Sequence, residues 1–172
     1  MKNLKFFEQH SNNDIMLDEE SAIKYLKSID FFESHGFNEN DSIILDNISN
    51  IVYKYRWLKD NKVNIHRSLD VPSFEDINLN KVGYFWSFSK DGVGNYDSGV
   101  LNTFNKNWKD KKTKSIVLTA VVDKKSINWE ETLVSNAIYG DEQFECYLNK
   151  GSDIIITHIN NEKLTDYIKA KS

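Results

Sequence analysis

The chain is poor in the residues that staple or hinge a protein. Cys146 is its only cysteine and Pro72 its only proline, so no disulfide can form within it and the disulfide-dependent class of small secreted domains is excluded. A cytoplasmic setting is the simplest expectation, and an injected effector acting in a cytoplasm has the same composition. Glycine is scarce as well, with seven in 172 residues, and no Gly/Ser- or Pro-rich stretch marks a linker. One domain is expected over 1–172, with a helical part over 1–60 and a strand-rich part over 61–172. No run approaches the ~20 apolar residues of a membrane-spanning helix, and the N-terminus turns polar at Glu8 before a signal-peptide core develops. Neither a membrane nor a cleaved leader is expected. Positive charge is not in excess either: 22 Lys and Arg against 26 Asp and Glu leave a formal charge of −4. Without a basic stripe, extended nucleic acid is a poor candidate partner. His10, His35, His66 and His158 stand apart from one another and from Cys146, so no zinc site is expected.

What is present is enough for one core. Hydrophobic residues make up 40% of the chain and aromatic residues 13%, and a chain of this length can bury roughly two-thirds of the surface its unfolded form exposes. From Asp18, a cap residue followed by Glu19 and Glu20, the apolar positions Ala22, Ile23, Leu26 and Ile29 recur at helical spacing, with Gly36 closing the region. A second helix follows Asp41 or Ser42, with Ile44, Leu45, Ile48, Ile51, Val52 and Tyr55 as its stripe. After Asn61 the pattern changes to short alternating segments of β-branched and aromatic residues: Val63 to Leu69, Val82 to Ser89, Ser115 to Val122, Gln143 to Leu148 and Asp153 to Ile159. Between the third and fourth, Ile127 to Ile138 places Trp129, Leu133 and Ala137 on one helical face. The expected class is α+β, a strand core with the N-terminal helices packed on it.

Residues two apart on a strand share a face. Arg67 then lines up with Val63, Ile65 and Leu69, which puts a guanidinium on a face that otherwise reads as buried. Such a charge needs an acidic neighbour or an anionic ligand, and its fork suits phosphate oxygens. In Trp86-Ser87-Phe88-Ser89 the two serines share one side and the rings the other. In Gln143-Phe144-Glu145-Cys146-Tyr147, an amide, a carboxylate and a phenol project together, while Cys146 faces the apolar side as a small core residue. Lys109 to Lys114 reads as a solvated basic loop, and Gly92-Val93-Gly94 lacks the strand-to-helix context of a dinucleotide fingerprint.

In order and spacing, His66-Arg67, Trp86-Ser87-Phe88-Ser89 and Gln143-Phe144-Glu145 followed by Gly151 resemble the mono-ADP-ribosyltransferases of the Arg–Ser–Glu class, which include bacterial toxins and phage enzymes. The resemblance runs from about Val63 to Asn160. It departs from the family at Ser68, where a glycine is common, and at Phe88, where a threonine is common. Gln143 in place of a glutamate is similar to members that modify acceptors other than arginine.

The resemblance implies a split, mixed or antiparallel ADP-ribosyltransferase sheet and NAD as the substrate. It makes Glu145 the catalytic carboxylate beside a cation-like ribosyl centre, with Gln143 orienting the acceptor. Arg67 would grip the pyrophosphate, the backbone of Ser68 would read the carboxamide, and Ser87 would hold Glu145. Ser89, with Trp86 or Tyr96, would frame the nicotinamide ribose. The implied partner is a protein of a host or competitor, modified by a phage-type enzyme, toxin or anti-defence factor. Two alternatives carry the same residues: a binding or inhibitor protein without catalysis, and an NAD glycohydrolase.

Overall fold

A computed structural model describes residues 15–78, 82–90, 113–140 and 144–171, with 165–171 as backbone only. Helix α1 spans Glu19–Ser28, and its cap is the one the sequence announces: the Asp18 carboxylate accepts from the Ser21 N–H at 2.8 Å. Those bonds hold the Asp18 carboxyl below its ordinary range. The helix ends at Ser28, one residue before the last position of its stripe. Asp30 takes a left-handed conformation at φ 56°, and Ile29, expected to be buried, is 39% exposed. A short helix α2, Phe31–His35, follows and ends on Gly36 at φ 70°. Helix α3 covers Ser42–Trp57 behind an Asp41 cap and buries Ile44, Ile48, Ile51 and Val52. Helix α4, Trp129–Tyr139, starts at Asn128, whose side chain accepts from the Glu131 N–H at 3.2 Å.

Among the described residues six strands form one sheet: β1 Lys62–Val71, β2 Phe85–Ser87, β3 Lys114–Asp123, β4 Glu145–Tyr147, β5 Asp153–Ile159 and β6 Glu162–Lys171. Their order is β4-β2-β1-β3-β5-β6 and every neighbouring pair is antiparallel. β1 and β3 pair without a break from Lys62↔Asp123 to Val71↔Lys114. One face of this ribbon is apolar: Val63, Ile65, Leu69 and Val71 on β1 and Ile116, Leu118, Ala120 and Val122 on β3 are all buried. They join Trp86, Cys146, Ile154 and Ile156 and the buried positions of α1, α3 and α4 in one continuous core.

Three strand expectations need correction. β2 and β4 are shorter than the alternating segments that announced them, because pairing between them runs only from Phe85↔Tyr147 to Ser87↔Glu145. β6 was not expected at all. Its signal is Asn160-Asn161, both at positive φ (49° and 72°) between the paired Ile159 and Glu162, the two-residue hairpin geometry that asparagine tolerates well. No helix of the described residues is long and apolar enough to cross a membrane.

The outer edge of β4 is closed by α4. Thr132 Oγ1 accepts from the Tyr147 N–H at 3.1 Å, and Asn136 Nδ2 donates to the Glu145 carbonyl at 2.8 Å. Residues four apart on a helix face one way, so one turn of α4 satisfies two backbone groups that would otherwise be bare at a sheet edge. Trp129 anchors that helix. It is 1% exposed, with its ring edge-on to Tyr55 at 4.7 Å and stacked on Phe88 at 5.8 Å. Trp129→Ala should therefore cost about 3–5 kcal/mol, read as a fall in the denaturant midpoint. A loss below about 1 kcal/mol would contradict this packing.

Candidate functional site

The opposite face of the sheet carries a row of polar side chains that four separate registers bring into line. Ser87 lies opposite Glu145, His66 opposite Ser87, Thr119 opposite His66, and His158 opposite Thr119. Residues directly opposite on paired strands share a face. Glu145, Ser87, His66 and Thr119 are all buried, at 6%, 0%, 8% and 6% exposure. A bulge at Thr157, whose hydroxyl donates to the Thr119 carbonyl at 3.2 Å, brings His158 into the row.

Ser87 and Glu145 are the closest type of cross-strand neighbours. The ladder bonds between β2 and β4 run from Phe88 N–H to the Phe144 carbonyl and from Leu148 N–H to the Tyr84 carbonyl. Counting inward by alternation makes Ser87↔Glu145 a non-hydrogen-bonded pair, the kind whose side chains approach most closely. Ser87 Oγ accepts from the Ser89 N–H at 3.0 Å, and the Tyr147 hydroxyl donates to Glu145 Oε2 at 3.1 Å. Burial, with the nearby Glu145 carboxylate adding to it, pushes the Tyr147 phenol up to about 12. Tyr147 is therefore a proton donor to that carboxylate across the physiological range. The Phe85 ring meets the Tyr147 ring edge-on at 4.8 Å, forming an aromatic wall one step along the strands.

His66 is held neutral. Burial lowers its pKa to about 4, and the charges of Lys90 and Lys54 push in the same direction. Its Nδ1 is 3.0 Å from Thr119 Oγ1. The sequence gives His66 no metal role and only a place beside Arg67 in the first motif, and nothing in it singles out Thr119. Alternation within β1 does place His66 opposite to Arg67, but only the register between strands connects it to Ser87 and Glu145.

Arg67 does not join the row. One residue on from His66, it takes the other side of β1, in line with Ile65 and Leu69, and its Nη1 donates to the Phe85 carbonyl at 2.7 Å. β1 and β2 are paired only at His66↔Ser87, so the guanidinium occupies the opening where the two strands separate. Gly83 makes room for it. A Cβ there would sit 2.8 Å from Arg67 Nη1, and the backbone is at φ 76°. Arg67 thus lines up with Ile65 and Leu69 as expected, and the interstrand register, not legible within one strand, sets it on the other face from Ser87 and Glu145.

The remaining predicted residues fall as follows. Ser68 lies inside β1 with its hydroxyl 2.7 Å from that of Ser115. Ser89, expected on the same strand face as Ser87, lies beyond the end of β2, where its N–H donates to Ser87 Oγ. Trp86 is buried on the apolar face and donates from Nε1 to the Gly83 carbonyl at 3.0 Å, a core role. Gln143 and Tyr96 lie outside the described residues. Cys146 is fully buried, and desolvation pushes its thiol well above the ordinary range, which leaves it unreactive.

No family model, no curated protein and no solved structure matches this chain.

The depressed pKa of His66 links the row to stability. Between about pH 6.5 and about pH 4 the unfolded chain binds a proton at this position that the folded chain refuses, so stability contributed here is complete above pH 6.5 and is lost as pH falls through that window. His66→Gln should flatten the fall in denaturation midpoint between pH 7 and pH 5. Equal slopes in the two proteins would show that His66 titrates normally in the fold.

Proposed function

We propose that the chain is an NAD-consuming mono-ADP-ribosyltransferase, on a fold of that type, acting on a protein of a host or competitor. The single observation that carries this reading is the Ser87–Glu145 pair, a buried carboxylate with a hydroxyl directly across the ladder and the Tyr147 phenol on one of its oxygens.

Breaking the bond between nicotinamide and ribose leaves positive character on the ribosyl carbon, and a carboxylate fixed beside that carbon lowers the barrier most where the charge develops. Glu145 takes this role. Tyr147 restricts its rotation by donating to one of its oxygens. Phe85 and Tyr147 offer ring surface for the departing nicotinamide. The acceptor's nucleophile then forms the new bond to the ribosyl carbon and gives up its proton, with Gln143 orienting it.

One observation favours a second reading, a binding protein without catalysis. Arg67, the residue that the resemblance assigns to the pyrophosphate, donates to the Phe85 carbonyl on the opposite side of the sheet. Labelled NAD separates the readings. Incubated with protein and cell lysate, it should yield free nicotinamide and labelled macromolecules. Glu145→Gln should lower nicotinamide release by about 10²–10³-fold, with folding checked by its denaturation midpoint. Wild-type turnover in a folded Glu145→Gln protein would remove the carboxylate from the mechanism. Absence of nicotinamide release from the wild-type protein would favour the binding reading, and release without label transfer would identify a glycohydrolase.

A further inference from the structure

Where β1 and β2 part on the Lys62 side of their single pair, a groove of about 500 Å³ opens between the end of α3, the start of β1 and Phe88. Its size is that of a small-ligand site. The groove borders the polar row, since Asn64 lies two residues before His66 on the same strand and Phe88 follows Ser87. Three ammonium groups line it, from Lys54, Lys59 and Lys62, against one carboxylate, from Asp60. Lys62 is already held by Asp123 at 2.9 Å, so among the described lining residues Lys54 and Lys59, against Asp60 alone, keep an excess of positive charge. The groove also contains Trp57, a large apolar side chain that is 62% exposed.

These side chains are arranged more than scattered surface lysines would be. Lys59 Nζ sits 5.8 Å from the centre of the Trp57 ring and Lys54 Nζ 5.6 Å from that of Phe144, cation–π contacts that restrict both ammonium groups. Their field reaches the row, because the Lys54 charge is one of the causes that keep His66 neutral. The Tyr53 ring lies beside Trp57, tilted, with ring centres 5.6 Å apart.

We infer that this groove is a nucleotide site, with Lys54 and Lys59 as counter-charges for the phosphates and Trp57 as a stacking surface for the base. Cationic groups beside an exposed indole recognise a phosphate and an aromatic ring together. An isolated anion would leave the ring unused, and an apolar ligand would leave the ammonium groups unmatched. If the chain consumes NAD, the groove holds its ADP half, and only this choice of nucleotide rests on the transferase reading. Phosphate binding then falls to lysines from α3 and the turn after it, and not to Arg67.

The test uses the full chain with ADP as the probe, by calorimetry and by tryptophan fluorescence. Wild-type protein should bind ADP more tightly at low salt than at high salt, with quenching of Trp57. The Lys54→Gln/Lys59→Gln double variant should raise Kd at least about tenfold, and Trp57→Ala should remove the quenching. Lys59→Gln alone, at an exposed position, guards against misfolding and should raise Kd several-fold. Lys150→Gln, outside the groove, should leave it unchanged. Unchanged ADP affinity in the folded double variant would overturn the inference. So would binding of a single-stranded oligonucleotide by wild-type protein that fails to bind ADP at millimolar concentration. Lysine-dependent ADP binding without any nicotinamide release from NAD would uphold the groove and sink the transferase reading.

Discussion

Much of the architecture depends on one cross-strand contact, the pairing of His66 with Ser87. Among the described residues it is the one ladder pair between β1, which belongs to the long ribbon with β3, and β2, which carries β4, and the Arg67 hydrogen bond to the Phe85 carbonyl reinforces it. Moving that contact by one residue would exchange the two faces of β2 and β4 together. Trp86 and Cys146 would leave the core, and Ser87 and Glu145 would enter it. Burial of Trp86 at 1% exposure and Cys146 at 0% therefore fixes the register, and with it the side on which the carboxylate stands. The polar row is a consequence of packing on the opposite face.

A link of one pair leaves space on both sides of it. Towards Leu69 the opening is filled by the Arg67 side chain, which reaches the Phe85 carbonyl and needs the bare backbone of Gly83 beside it. Towards Lys62 the opening remains a groove, lined by lysines and Trp57. α4 stabilises the arrangement from the far edge, using Thr132 and Asn136 to hold β4 by its backbone. A three-residue strand with so few ladder bonds has little independent stability, so the position of Glu145 is tied to the packing of Trp129 and its helix.

Most elements could be read along the chain because their signals are local. Asp18 and Asp41 cap their helices as expected, Trp129, Leu133 and Ala137 share a buried face, and Asp153–Ile159 is a strand with the predicted bounds. The misreadings are also physical. Ile29 has the right spacing for the stripe of α1, but the left-handed Asp30 breaks the helix before it. The residues flanking β2 and β4 alternate like strand residues, yet pairing, which alternation cannot specify, ends at Ser87 and Glu145.

The sequence alone determined which residues share a face within each strand, since a period of two needs no partner: Glu145 with Tyr147, and Arg67 with Ile65 and Leu69. It could not determine which face of one strand continues onto the next, because that depends on contacts between segments far apart in the chain, as from Ser87 to Glu145. The tertiary structure decided this. It set His66 and Thr119 beside Ser87 and Glu145, and it turned Arg67 away, because burying the apolar side chains of all the strands on one side admits a single register.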